Sequence, residues 1–244
     1  MTGGRLEVAA GSARHAGLYL DKFLPGEDRK GKEELVKALK AVAGRSPASK
    51  PYRLAFDRWK AQWSGRENVV CVSGTVRGRL VTGLGAESVM ENGLRLHFTY
   101  GTPLIPGSTL KGVLRKAMPE EHRDAVKADK RNFEWYLFGS PDHEGAARIE
   151  DAWWEPAGAG SPLALDVLTP HHASYMAKQG PPTDFDEPAP VHFLTVGAHQ
   201  KFLFVIEAPT AVWKKYLYGL LKEALRSEGV GAKRSSGYGV LEIE

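Results

Sequence analysis

Two glycine-rich segments, each carrying hydroxyl groups and cations, constrain the fold of this chain of 244 residues more than any other feature. The first covers residues 102–116, where apolar side chains recur at helical spacing and so predict that a helix begins there. The second covers residues 229–240, between a predicted helix at 210–228 and a predicted final strand at 237–244. Both segments therefore adjoin a helix, and the second leads directly into a strand.

The first segment combines a helix start with two cations. Ser108 is the predicted N-cap, and Lys111 and Arg115, four residues apart, share an exposed face near it. Cations in a first helical turn oppose the helix dipole, and a bound anion removes that conflict because free backbone N–H groups also point at it. The alternative is an ordinary surface helix with solvated cations. The predicted anion-binding residues here are Gly107, Ser108, Thr109, Lys111, Gly112 and Arg115.

The second segment places cations and hydroxyl groups between closely spaced glycines. Successive glycines let the backbone approach a ligand and form an anion-binding nest. The alternative is a mobile surface loop. Because glycines, hydroxyls and cations together suit a phosphate backbone, both segments point to RNA. The predicted RNA-binding residues of this segment are Gly231, Lys233, Arg234, Ser235, Ser236, Gly237 and Tyr238.

Two nucleotide-binding motifs are excluded by single positions. Gly112 closes a glycine spacing typical of a phosphate-binding loop, but Val113 follows it where nucleotide hydrolases need Lys and then Ser or Thr. Gly83 and Gly85 begin a dinucleotide fingerprint whose third glycine is replaced by Ser88. The sequence therefore does not predict a nucleotide cofactor.

Residues 69–82 predict a strand whose two faces differ. One face is mostly apolar and carries Val70, Val72, Val76 and Leu80 at even-numbered positions. The other face is polar and carries Cys71, Ser73, Thr75, Arg77 and Arg79. We expect Arg77 and Arg79 to contact RNA, and the alternative is a plain sheet facing solvent.

The remaining pattern gives the order of elements along the chain. The predicted helices are 33–42, 52–63 and 108–137, the last with a break near Pro119. The further predicted strands are 146–154, 163–168 and a hairpin of 192–196 with 201–207. This order predicts an α+β fold of the ferredoxin-like, RNA-recognition type with insertions, whose first and last strands lie near its centre.

Three stretches carry a resemblance to a known family. Residues 103–115, which read PLIPGSTLKGVLR, resemble the helix-opening signature of the RAMP superfamily, the RNA-binding proteins of CRISPR effector complexes. Residues 165–172 (LDVLTPHH) and 190–196 (PVHFLTV) resemble, within it, the sixth-numbered subunit family of the type III-B, or Cmr, complex. The resemblance covers residues 66–244, whereas residues 1–65 match no family.

This resemblance implies an organisation and a set of partners. Residues 1–65 would be an N-terminal helical extension, and 66–244 a RAMP domain with a thumb-like insertion at about 169–190 that wedges into the guide–target duplex. The duplex contacts implied there are Thr169, His171, His172, Tyr175 and Met176. The implied partners are the CRISPR guide RNA, the target RNA and other Cmr subunits: the backbone RAMP subunit, the small subunit and the first-numbered capping subunit. The chain would cap the end of the complex that holds the 3′ part of the guide.

Catalytic and metal-binding groups are weakly indicated. The histidines to weigh as acid–base groups are His15, His97, His171 and His172. Catalytic relatives carry an Asp after the first strand, where this chain offers Glu87 and Glu91, and the acids Asp184, Asp186 and Glu187 lack ligand spacing. We therefore predict a subunit that is not an enzyme and needs no metal or cofactor. The alternatives are a metal-independent endoribonuclease and a purely structural bridge.

Composition limits the remaining classes. The net charge of +4 is a mild excess, so the clustering of cations near glycines is the better sign of RNA. A single cysteine, Cys71, excludes a disulfide framework and suits a reducing compartment. No stretch has the length or apolar character of a membrane span or a signal peptide. The sequence predicts a soluble cytoplasmic protein with no membrane partner.

Overall fold

The computed structural model describes residues 15–22, 29–85, 93–124, 132–156, 160–169 and 190–243. Helices mixed with antiparallel strands make it an α+β protein. The helices are α1 Ala16–Lys22, α2 Arg29–Ala43, α3 Lys50–Trp63, α4 Gly107–Ala117, α5 Glu120–Asp124, α6 Phe133–Phe138 and α7 Ala211–Glu223. The strands are β1 Val69–Val76, β2 Leu104–Ile105, β3 Arg148–Ile149, β4 Ala152–Trp154, β5 Leu163–Leu168, β6 Val191–Val196, β7 Lys201–Glu207 and β8 Leu241–Ile243.

The main sheet has the order β2-β4-β7-β1-β8, with β3 also paired to β7. The β1–β7 register runs from Val69↔Glu207 to Thr75↔Lys201, and β8 pairs with the other side of β1. The first strand is therefore central, as expected. The last strand lies at one end of the order, so that part of the expectation is wrong. Strand β7 lies in the middle of the sheet, between β4 and β1, because its continuous run of apolar side chains must be buried on both faces of the sheet.

The predicted hairpin of 192–196 with 201–207 is also wrong. β6 pairs with β5 in a separate two-stranded sheet, and β7 pairs with β1 in the main sheet. The chain crosses between the sheets because His199 N donates to Val76 O at 2.8 Å and Val76 N donates to Gln200 O at 2.9 Å. His199 adopts φ 63, a left-handed conformation, within the connection between β6 and β7.

Two predicted boundaries shift. The strand predicted at 69–82 ends at Val76, so Arg77 and Arg79 lie beyond the strand. The helix predicted from Ser108 begins at Gly107, whose N–H donates to Asp151 Oδ1 at 2.7 Å. A carboxylate from a distant segment thus takes the capping role that the sequence assigned to the Ser108 hydroxyl. The break near Pro119 is confirmed, since α4 ends at Ala117.

Helix α3 packs on one face of the main sheet. Trp59 stacks on Trp153 of β4 with ring centroids 5.3 Å apart, and Tyr52 donates its buried hydroxyl to Trp154 O at 2.5 Å. At the end of α3, Ser64 Oγ lies 3.8 Å from Cys71 Sγ of β1. The register puts Val70 and Val72 of β1 on the opposite face with Phe204 and Ile206, which leaves that face to α4 and α7.

A second apolar cluster joins the first two helices to the β5–β6 sheet. Its buried members are Tyr19, Leu20, Ala38, Leu39, Val42, Leu163 and Leu194. Helices α1 and α2 therefore pack on strands β5 and β6, the two strands that flank residues 169–190. Helix α3 instead belongs to the core of the main sheet.

Candidate RNA interface

The second glycine-rich segment, residues 229–240, is held by backbone hydrogen bonds, and we call it the glycine-rich loop. Val230 N donates to Gly239 O at 2.8 Å, and Gly239 N donates to Arg79 O at 2.7 Å. Ala232 N donates to Val81 O at 2.8 Å, which fixes the loop to the segment after β1. Gly239 has φ 80, and a Cβ there would overlap the Val230 carbonyl. This glycine therefore serves loop closure, and the loop presents its cations from an anchored backbone.

Side chains tie the same loop to the β5–β6 sheet. Tyr238 donates its hydroxyl to Asp166 Oδ2 at 2.5 Å, and Arg79 Nη1 lies 3.2 Å from the same oxygen. Lys233 Nζ lies 4.9 Å from the centre of the Phe193 ring, a cation–π contact. Partial burial and the Asp166 hydrogen bond raise the pKa of Tyr238, so its hydroxyl stays protonated at neutral pH. We call residues 229–240, with Arg77, Arg79, Asp166 and Phe193, the glycine-loop junction.

The arginines at this junction have acidic partners. Arg77 pairs with Glu242 on β8, and this hydrogen bond lowers the pKa of the Glu242 carboxyl. Arg234 Nη1 lies 3.7 Å from Glu228 Oε2 at the end of the π-helical turn Ala224–Glu228. The predicted RNA-binding residues Ser235, Ser236 and Gly237 are exposed beside Arg234. Each arginine therefore has a carboxylate near it, whereas Lys233 lies against the Phe193 ring.

The first segment reaches this junction through a residue that the sequence analysis did not select. Lys116, in the last turn of α4, places Nζ 2.5 Å from Glu228 Oε2. Arg115 instead lies 3.3 Å from Glu134 and donates to Gly139 O, on the flank of α4 that faces α6. Lys116 lies four positions after Gly112 on the same exposed face of the helix, and that spacing is the sequence signal that could have identified it.

The other predicted residues of the first segment divide into packed and exposed ones. Gly107 is buried, and a Cβ there would overlap the Ile149 carbonyl oxygen, so this glycine allows α4 to approach β3. Gly112 is exposed with nothing within 4 Å of its Cβ position, and Ser108 is exposed on the same side. Lys111 is half-buried and has no ion-pair partner among the described residues.

The sheet face that we expected to bind RNA is partly covered. Cys71 lies under the end of α3, and Arg77 and Arg79 lie past the end of β1. The two arginines therefore belong to the glycine-loop junction rather than to a flat sheet surface.

Several further predictions fall outside the described residues. These are His171, His172, Tyr175 and Met176 of the implied thumb, the acids Glu87 and Glu91, and the acids Asp184, Asp186 and Glu187. Thr169 follows directly after β5 and is half-buried. The insertion predicted at 169–190 begins and ends at the two paired strands β5 and β6.

The described histidines that were weighed for catalysis hold local structure together. His15 Nε2 donates to Phe98 O at 2.9 Å, and its Nδ1 accepts from Leu18 N at 2.9 Å. His97 Nδ1 accepts from Thr99 N at 3.2 Å, and burial lowers the pKa of its imidazole. Within the ranges that the structure describes, no group of three or more His, Cys, Asp or Glu could hold a metal ion.

Comparison with known proteins identifies the class of protein. The sequence pattern of the RAMP superfamily matches residues 75–242, and the chain belongs to that superfamily. Its sequence is similar in particular to the CRISPR system Cmr subunit Cmr6 of Pyrococcus furiosus, with 30% identity in an alignment of 221 positions that covers 68% of this chain. The chain spans 65% of the length of that relative.

One solved structure shows the same fold. One chain of the type III-B Cmr-beta complex bound to cognate target RNA, determined by cryo-EM, matches with a TM-score of 0.66 and 23% identity, covering 90% of this chain and 75% of that one. The crystal structure of Cmr6 from Pyrococcus furiosus matches with a TM-score of 0.47 and 30% identity, covering 72% of this chain and 98% of that one. Across the described part of this chain, no helix has the length and apolar character needed to span a membrane.

Proposed function

We propose that this chain is a non-catalytic RNA-binding subunit of a type III-B CRISPR ribonucleoprotein. It binds the guide RNA near its 3′ part and caps the backbone filament, for antiviral recognition of target RNA. Its partners in the proposal are the guide and target RNAs, the backbone RAMP subunit, the small subunit and the first-numbered capping subunit. The similarity to Cmr6 supports this assignment. The single cysteine, Cys71, supports a cytoplasmic location.

The proposed domain is ferredoxin-like, with an N-terminal helical extension at 1–65 and a thumb-like insertion at about 169–190. The strand order β4-β7-β1-β8 supports it, since helices α4 and α7 then follow the first and third strands of a βαββαβ unit. The paired strands β5 and β6 that flank the insertion support a projecting segment at that place.

The single observation that carries the RNA-binding proposal is the glycine-loop junction. There, an anchored backbone loop gathers Arg79, Lys233 and Arg234 with exposed hydroxyls of Ser235 and Ser236. Cations and hydroxyls of this kind contact phosphates and fix the position of an RNA strand without reading its sequence. A guide whose spacer differs from one complex to the next requires contacts of this sequence-independent kind.

The proposal is tested by purifying the tagged chain from its own cells. We expect guide RNA and the other Cmr subunits to be purified with it, and ultraviolet crosslinks to map to residues 229–240. Crosslinked peptides elsewhere on the chain would place RNA away from the junction. Sister subunits without any crosslinked RNA would favour the structural bridge instead.

The first prediction concerns the salt dependence of binding. Lys233→Ala and Arg234→Ala should each weaken binding of unrelated single-stranded RNAs alike, because phosphate contacts carry no sequence information. The slope of log K against log salt should become shallower by about 0.7 for each lost contact. Titration by fluorescence anisotropy at several salt concentrations measures both. Lys37→Ala, an exposed lysine of α2, is the matched control and should change neither. A loss confined to one RNA sequence would contradict phosphate contact.

The second prediction concerns cleavage. The free chain should not cleave RNA, with or without divalent metal. The assembled complex carrying Glu87→Ala, Glu91→Ala, His171→Ala and His172→Ala should give the same set of cleavage positions as the unaltered complex. In-line attack by a 2′-hydroxyl needs a placed acid and base or a carboxylate-held metal, and His15 already uses both ring nitrogens for structure. Gel analysis of end-labelled target RNA measures it. Disappearance of one cut site with assembly intact would make the endoribonuclease alternative correct.

A further inference from the structure

One carboxylate joins the two glycine-rich segments. Glu228 Oε2 lies 2.5 Å from Nζ of Lys116 on α4 and 3.7 Å from Nη1 of Arg234 in the glycine-rich loop. The charged ends of both cations therefore converge on a single oxygen atom. Two positive charges share one negative charge at this point, so the cluster retains an excess positive charge.

The backbone that carries Glu228 is held in place while the cations stay accessible. Glu228 ends the π-helical turn, where Gly229 N donates to Ala224 O at 3.1 Å, and Arg234 Nη1 also donates to the Glu228 carbonyl at 3.4 Å. The Glu228 side chain is 28% exposed, against 59% for Lys116 and 39% for Arg234. The hydrogen bond from Lys116 lowers the pKa of Glu228, so the carboxylate is ionised at neutral pH. Short π-helical segments of this kind often occur at functional sites.

An RNA phosphate matches this arrangement of cations. A phosphate presents two anionic oxygens on one centre, and Lys and Arg are the residues that bind it. A solvent-accessible ion pair contributes little to the stability of the folded chain, so replacing the carboxylate by another anion costs little. Resting on the proposed function, we propose that Lys116 and Arg234 form a subsite for one phosphate of the RNA backbone, and that Glu228 occupies this subsite until RNA displaces it.

This proposal makes Glu228 a competitor of RNA within the protein. Removing its charge should strengthen RNA binding, whereas removing a cation should weaken it. Glu223 offers a matched comparison, because it is an exposed glutamate at the end of α7, directly before the π-helical turn that Glu228 ends. It lies 3.7 Å from Arg226 in the adjacent turn and, among the residues that the structure describes, forms no ion pair with another segment.

The test measures binding of a labelled single-stranded RNA of mixed sequence to Glu228→Gln, Glu223→Gln and the unaltered chain. Glu228→Gln should bind roughly fivefold more tightly, and Glu223→Gln should bind like the unaltered chain. In a chain that already carries Lys116→Ala and Arg234→Ala, adding Glu228→Gln should change nothing, because no subsite remains to be released. Thermal unfolding of each variant checks that the fold is kept. Should Glu228→Gln fail to fold, Glu228→Asp withdraws the carboxylate from the same cations and should tighten binding to a smaller extent.

Unchanged or weaker binding by the folded Glu228 variant would overturn the proposal. Equal tightening by Glu223→Gln would overturn it too, since the effect would then be general electrostatics. The proposal would also be overturned if Glu228→Gln strengthened RNA binding in the chain that lacks the side chains of Lys116 and Arg234. Failure of the unaltered chain to bind RNA would instead reject the proposed function itself, so the two failures are distinguishable.

Discussion

Phe56→Ala should lower the free energy of unfolding by about 3–5 kcal/mol, the range for truncation of a buried aromatic side chain. Phe56 is 4% exposed and belongs, with Tyr52 and Trp63, to the same apolar core as the strands of the main sheet. The cavity left by the ring would lie in the core of the main sheet. Urea denaturation followed by tryptophan fluorescence measures the change.

Leu54→Ala is the matched control for this change. Leu54 lies on the same helix but is 52% exposed, so its truncation should alter the free energy of unfolding by no more than about 0.5 kcal/mol. Equal losses for the two variants would mean that α3 does not pack on the sheet. The expected contrast would make residues 50–63 part of the folding unit of the domain, although sequence similarity to the superfamily begins only at residue 75.

Gly107→Ala and Gly112→Ala should shift stability in opposite directions, although both glycines lie on α4. At Gly107 the new methyl group would overlap the Ile149 carbonyl oxygen, and overpacking of this kind costs about 1–3 kcal/mol. At Gly112 the methyl group has open space, and replacing an exposed helical glycine stabilises by about 0.4–1 kcal/mol. Thermal denaturation of the two variants measures both effects.

A larger side chain at Gly112 tests whether this glycine serves packing or contact with RNA. Gly112→Val should leave the fold intact and weaken RNA binding if the RNA backbone approaches α4 at this exposed position. A Gly112→Val chain that unfolds would assign this glycine to packing. A chain that folds and binds RNA normally would remove Gly112 from the interface and leave Lys116 as the part of α4 that meets RNA.

Local patterns were sufficient to predict the long helices. The helical periodicities at 33–42 and 52–63 correspond to α2 and α3, and Thr210 caps α7 by accepting from Trp213 N as its residue type suggests. These features depend on neighbours within one or two turns of the chain. The sequence therefore contains all the information that they require.

Features that depend on distant partners could not be predicted in the same way. The short connection 197–200 favours a hairpin locally, but the pairing of β7 with β1 spans more than a hundred residues and decides where the strand goes. Lys233 and Arg234 were predicted as RNA-binding residues, yet the sequence did not show that Lys233 contacts Phe193 of β6 or that Arg234 shares Glu228 with Lys116 of α4. Charge balance across the fold is a property of the folded chain, because no local pattern pairs a given cation with its acid.

The register of β5 and β6 has a consequence for how this chain can diverge. Leu168 pairs with Val191, so the two ends of the intervening segment are held at neighbouring positions on one strand pair. Because these ends are already held together, each doubling of the intervening length adds only about 0.6 kcal/mol of closure entropy. Changes in the number of residues between 169 and 190 should therefore cost the rest of the chain little stability. Related chains can therefore carry different segments between β5 and β6 while the paired strands stay the same.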